Sequence, residues 1–461
     1  MRIASSASTI VVSVTGMSIS NLKSAIRKIL TIRDDFCTFT LFILPLMART
    51  GKEPKKGKVP KQNWLNSKIL KNKDEKRSQR IADALYDTRN ADILKTEDGG
   101  YLEAEGMEKT YEITQKQIKE EVDLNTRHKI FDLTLDQFGP YKVQFDRPGR
   151  HVLLSGEKGH IAMLDALTQS LVCEFHTEER IYATTFLHDW DVFASAQSKY
   201  LHLYDSQGIE LHCLRAASQP RFLEFLPFHY LLASCSQQGI LRWIDVSTGV
   251  SLHDRPTRHG PATCFAQNPH NATVLSGSSR GKVAFWSPNE RDPLVSMLCH
   301  RGNVLGAGVN LEGTAMVTAG SDGKLAVWDL RTFQCLYEYT LPSPAGSLDI
   351  SQRGLVAGNV GKRVLIWKDL EKQKVKDPYM KIEVPGLKVE NLKFRPFEDQ
   401  IMIGLDKGVK SCVVPGAGEA NIDTYELNPF ETRKQRRERN VQKLLDKIPA
   451  ERIVWDPDAA F

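Results

Sequence analysis

The sequence predicts an all-β fold, a β-propeller of seven blades with basic, helical extensions at both ends, and three observations predict it. A small-residue turn followed by an alternating strand recurs seven times, as EKGHIAMLD (157–165), QSKYLHLYD (197–205), QQGILRWID (237–245), SRGKVAFWS (279–287), SDGKLAVWD (321–329), VGKRVLIWK (360–368) and DKGVKSCVV (406–414). The first six copies end at 165, 205, 245, 287, 329 and 368, a step of 39 to 42 residues, and the degenerate seventh arrives on schedule. Two short apolar runs precede each copy, as in PATCFAQ and ATVLSGS, and another follows, as in RTFQCLYEY. Four short strands per unit of about 40 residues is the signature of a propeller blade.

Composition fits such a core: 41% hydrophobic and 26% charged residues exclude chain-wide disorder. The net charge of +6 conceals a division, because 49–80 holds twelve Lys or Arg against three acids and 428–455 holds eight against four. The remainder is net negative, so polyanion-seeking arms flank a bland middle.

Taken in order, residues 1–46 read as a non-native or disordered extension. The run FCTFTLFILPLMA (36–48) is too short to span a bilayer and is broken by Pro45. Composition changes abruptly at Met47, the expected first residue; a mitochondrial presequence is the second reading. Residues 47–128 form a basic, helical arm: 61–86 is rich in helix formers and carries Trp64 as a partner anchor, and 107–128 reads as a second helix. The propeller is assigned to 129–422, and KIFDLTL (129–135) is the expected closing strand, which pairs into the last blade so that the ring has no open edge.

Within the repeats, Trp328-Asp329 resembles the dipeptide of WD repeats, with Tyr204-Asp205, Ile244-Asp245, Trp286-Ser287 and Trp367-Lys368 as degraded copies. The propeller is therefore of WD40 type. The Gly-His pair of such repeats is mostly missing, so their hydrogen-bonded network is expected to be incomplete.

The C-terminal segment, 423–461, is basic and helical. Asn428 can cap, Pro429 suits the first helical position and Glu431 stands third, with the helix running to about Lys447 before Pro449. Val441, Leu444, Leu445 and Ile448 form one apolar stripe, expected to lie on protein, which leaves Arg433, Arg436, Arg437, Arg439 and Lys443 for phosphate or another anion. A membrane is the least favoured anion, since the stripe is narrow and Phe430 is its one nearby aromatic. Downstream, Ile453, Val454 and Trp455 are expected to anchor in a groove on another surface.

Catalytic signals are absent. Gly277-Ser-Ser-Arg-Gly281-Lys282 is one residue short of a phosphate loop and leads into a strand. There is no H-E-x-x-H and no G-x-S-x-G. The eight cysteines form no C-x-x-C pair, which with their strand-like settings points to reduced thiols. His151, His160, His176, His188, His202 and His212 are scattered and read as structural or exposed. The chain is expected to be no enzyme and to hold no metal or cofactor.

The tail NPFETRKQRRERNVQKLLDKIPAERIVWDP, together with QFGPYKVQFDRPGRHVLLSGEKGHIAMLD, resembles the nucleolar WD-repeat family called U three protein seven, of the small-subunit processome. The resemblance covers 60–457. It implies a non-catalytic scaffold in pre-rRNA processing and 40S ribosomal subunit biogenesis, in the nucleus and nucleolus, with pre-rRNA, the U3 small nucleolar ribonucleoprotein and other processome proteins as partners and no small-molecule substrate. Arg433, Lys434, Arg436, Arg437 and Arg439, with Lys443, become the tail contact to RNA or protein. Lys52, Lys55, Lys56, Lys58 and Lys61 become a threading arm, and Trp64, Phe430 and Trp455 the partner anchors. The competing expectation is a nuclear WD-repeat adaptor that reads peptides for a chromatin or ubiquitin-ligase assembly, its basic arms serving only for import.

Overall fold

The computed structural model describes residues 68–91, 99–104, 108–421 and 432–455. The chain divides into two compact units, 1–83 and 84–461. Helix α1, Lys68–Ala91, begins in the first unit and exposes Lys71, Lys73, Lys76, Arg77 and Arg80, with Ile81 and Leu85 also in solvent. Among the described residues no helix is long and apolar enough to cross a membrane.

The second unit is built on seven four-stranded antiparallel sheets, and the predicted seven-bladed propeller is the fold. Six blades are contiguous in sequence, at 141–176, 181–214, 220–256, 262–298, 304–340 and 345–383. The first strand of each is a neighbour of the first strand of the next, and the seventh blade returns to the first, so the ring is closed around an axial channel. Middle strands are buried on both sides: Leu153, Phe193, Leu275, Val317, Ala357 and Ile403 are essentially inaccessible. Outer strands carry the exposed residues, such as Leu171, Leu211 and Leu336. This gradient explains why the second and third strands of each repeat read as small and apolar, and the fourth as mixed.

The seventh blade takes three strands from 389–413 and its outermost from Asp132–Thr134, which pairs antiparallel with Gly408–Val413. Leu133 faces Val409, and Thr134 faces Gly408. Gly408 has φ +136°, and a Cβ there would lie 1.9 Å from the Leu133 carbonyl oxygen, so only glycine admits the closing strand at this register. Ser411 reinforces the joint: its Oγ donates to the Lys129 carbonyl at 2.5 Å, and Gln400 Nε2 donates to the same hydroxyl at 2.5 Å.

The expected single helix over 107–128 is instead broken into a 3-10 turn, Thr110–Glu112, and two short helices, α2 (Gln115–Glu121) and α3 (Leu124–His128). Local capping decides this. Thr114 and Gln117 form a reciprocal capping box that starts α2, and Val122 is extended before Asp123 opens α3. The periodic apolar residues still do their work, because Ile118 is buried in the cluster shared by blades 6 and 7. Gln115 mimics a strand residue, donating to the Val413 carbonyl at 2.7 Å and accepting from the Val413 amide at 3.1 Å.

The side-chain network of WD repeats is complete in blade 5. His300 Nδ1 lies 3.2 Å from Asp322, its Nε2 lies 2.9 Å from the Thr318 hydroxyl, and Trp328 Nε1 donates to that hydroxyl at 3.1 Å. Blade 4 keeps only the last bond, from Trp286 Nε1 to Ser276 Oγ.

Candidate interaction surface

First and third strands of a blade run in the same direction, so the turns that follow them gather on one face of the ring. The C-terminal segment crosses that face. Helix α4, Arg433–Leu445, starts at Thr432, whose side chain forms a capping box with Gln435. Thr432 thus takes the capping role expected of Asn428; Asn428, Pro429, Phe430 and Glu431 lie outside the described residues.

The helix turns its faces opposite to the expectation. Arg436 Nη1 comes within 4.0 Å of Asp191 and Arg439 Nη2 within 4.0 Å of Asp189, both in blade 2, and Asn440 donates to Asp189 at 3.2 Å. Arg436 also lies 5.3 Å from the centre of the Trp190 ring, which stacks on His151. Three of the four residues of the stripe expected on protein, Val441, Leu444 and Leu445, are exposed at 60, 47 and 76%, and the fourth, Ile448, is half-buried. The reason is in blade 2: the acids Asp189 and Asp191 make the local ring surface a better seat for guanidinium than for leucine. Burial, with Asp189 as neighbour, raises the Asp191 carboxyl above its ordinary range, and Arg436 opposes this. Burial lowers the His188 imidazole in the same cluster. Arg433, Lys434 and Arg437 point to solvent, Lys434 lying 3.7 Å from Glu438, while Lys443 is half-buried.

Beyond α4 the chain becomes a strap over blades 3 to 5. Lys447 Nζ donates to Asp245 at 2.5 Å and to Ser247 Oγ at 2.8 Å. Burial pushes the Asp245 carboxyl up, but the bonds from Lys447 and Ser247 outweigh it and hold the group below its ordinary range. The Ile448 amide donates to the Phe228 carbonyl at 3.0 Å. Asn289 Nδ2 donates to the Ala450, Glu451 and Ile453 carbonyls, and Ser287 Oγ to Ile453 at 2.6 Å. Ile453 is 1% exposed, between blades 3 and 4. Trp455 sits edge-on to Phe285 at 4.9 Å and tilted against Phe333 at 5.4 Å, and its carbonyl accepts from Asn271 at 2.9 Å.

Trp455 is therefore an anchor in its own ring, which corrects its assignment to another surface. Sequence reasoning also missed Asp245, Ser287, Asn289 and Asn271 as the seats of the strap. Ser287 carried a signal, standing where a WD repeat has Asp in the blade that holds Ile453. Lys52, Lys55, Lys56, Lys58, Lys61 and Trp64 lie outside the described residues.

The axial channel collects charge instead of catalytic geometry. Lys393 Nζ on blade 7 lies 2.9 Å from Asp349 on blade 6, and Glu224 on blade 3 faces that pair. Burial pushes the Glu224 carboxyl up to about 7, partly opposed by Lys393. Burial pushes the thiols of Cys235, Cys264, Cys299 and Cys412 up to about 12, leaving them inert at neutral pH. One trio of metal-ligating side chains meets among the described residues: His202 places Nδ1 3.3 Å from Glu210 and Nε2 3.9 Å from Cys213. Each of the three offers one ligand atom, and these atoms lie within 4.8 Å of one another.

Residues 378–456 match the BING4CT (NUC141) domain, a span that takes in three of the four strands of the seventh blade and the strap. The chain is similar to human WD repeat-containing protein 46, 44% identical over 373 residues that make up 80% of this chain and 61% of that protein. It is 40% identical over 407 residues to U3 small nucleolar RNA-associated protein 7 of Saccharomyces cerevisiae, covering 85% of this chain and 73% of that protein. WD repeat-containing protein 46 of Caenorhabditis elegans is 38% identical over 396 residues, covering 86% and 68%. The chain spans about six-tenths of the length of the human and mouse relatives.

Proposed function

The chain belongs to the family of U3 small nucleolar RNA-associated protein 7 and WD repeat-containing protein 46, and on that premise we propose that it is a non-catalytic scaffold of the small-subunit processome. In this reading it acts in the nucleolus in pre-rRNA processing and 40S subunit biogenesis, among pre-rRNA, the U3 small nucleolar ribonucleoprotein and other processome proteins. The ring supplies rigid protein-contact faces, and the basic arms bind RNA and protein. The observation that carries the reading is the distribution of cations: the channel pairs its own charges, whereas α1 holds five Lys and Arg side chains in solvent. Such a row fits the regular negative charge of a nucleic-acid backbone. The buried, high-pKa thiols favour a scaffold over a catalyst.

Sedimentation of the native assembly before and after nuclease treatment tests this. The expected result is a large particle that loses the chain on RNA digestion. Replacing Lys71, Lys73, Lys76, Arg77 and Arg80 with alanine is expected to lower the salt slope of RNA binding by about 0.7 to 0.9 for each phosphate no longer neutralised. A nuclease-insensitive profile would overturn the reading.

A further inference from the structure

Helix α4 is oriented against its own hydrophobicity. With about 100° between successive residues, Arg436, Arg439, Asn440 and Lys443 fall toward the ring. Arg433 and Leu444 lie to one side of these, and Arg437, Lys434, Val441 and Leu445 turn further away, so that cations line the first turns of the outer face and aliphatic side chains the last. All three aliphatic side chains stand about half exposed or more, at 60, 47 and 76%. Water at a contiguous apolar row is unfavourable, and such a row rimmed by polar residues marks an interaction site. On the ring, Phe228, whose carbonyl holds the Ile448 amide, is also 49% exposed.

We propose that this outward face of α4 docks a protein segment bearing a row of aliphatic side chains beside acidic ones; the inference rests on the scaffold reading and names one partner class for it. Charge complementarity selects the acids. Glu438 is the lone acid of α4, so the cations of the outward face outnumber it and require carboxylates. Chemistry also disfavours RNA as the occupant of this face. Phosphates would match Arg433, Lys434 and Arg437 but leave three aliphatic groups in water, and the helix has no aromatic side chain on which a base could stack. A second copy of the chain would bring like charges together. An acidic amphipathic segment satisfies both halves of the face, in the manner of a helix laid against an apolar row.

The test uses the full chain with Leu445→Cys, followed in the assembled particle and in the free protein by site-resolved alkylation, and a photo-crosslinking residue at position 441 whose adducts are mapped. Assembly is expected to slow alkylation at 445 at least tenfold and to give adducts on a protein segment containing aliphatic and acidic residues. The substitution Val441→Glu, at an exposed position, is expected to abolish the adducts obtained from a crosslinker at 444 while leaving nuclease-sensitive sedimentation intact. Adducts on RNA alone, adducts on a second copy of this chain, or a thiol that reacts at the free rate inside the particle each overturn the docking surface. A chain that never enters a nuclease-sensitive particle defeats the scaffold reading instead, so the two failures are distinguishable.

Discussion

At the scale of single residues, charge placement decides most of what is specific here. Glu224 stands in the axial channel opposite Lys393 and Asp349, and its carboxyl is pushed from 4.5 up to about 7 by burial. A raised folded value means that the native state holds the proton more tightly than the unfolded chain. Stability from this group is then fully present below pH 4.5 and is lost as pH rises through about 7. Glu224→Gln is expected to flatten the dependence of the thermal midpoint between those values and to make the protein more stable than wild type at pH 8. An unchanged slope would place Glu224 in solvent. No sequence pattern marks this residue, because its partners come from blades 6 and 7, more than a hundred positions away. Arg436 and Arg439 show the same blindness: their type was legible as anion-seeking, but the anions are Asp191 and Asp189 of the same ring.

Elements were legible where a local rule sets them and illegible where two local rules compete. The repeated turn and strand located the third strand of each blade, because successive side chains of a strand point to opposite faces and leave a period of two. The run 107–128 has helical periodicity throughout, yet the Thr114 capping box and the extended Val122 cut it into three short elements. Pro429 suggested a start for α4 that Thr432 takes, since a reciprocal Thr–Gln pair satisfies two amides at once. The closing strand depends on one glycine. Gly408→Ala is expected to destabilise the propeller by about 3 kcal/mol, from the positive φ and the contact with Leu133. Gly249→Ala is the control, at φ +72° with nothing within 4 Å of the added carbon. Equal losses of stability in denaturant titrations would show that ring closure adds nothing to backbone strain.

For the whole molecule, the tail is a structural part of the ring face before it is anything else. Ile453→Ala combined with Trp455→Ala removes its two apolar seats, and the cost for the isoleucine alone is about 2 to 4 kcal/mol. The expected outcome is rapid tryptic cleavage at Lys447 and Arg452 with the blades still resistant. Continued protection would mean that the polar bonds of Asp245, Ser287 and Asn289 suffice. By itself the sequence determined the number of blades, the seven-fold spacing and the presence of a cationic, apolar-edged C-terminal helix, because periodicity and composition are properties of neighbours along the chain. Only the tertiary structure decided which way that helix faces and where Trp455 is seated. Those choices compare the free energy of burying leucine with that of pairing arginine against a surface assembled from four different blades, and no stretch of sequence contains that surface.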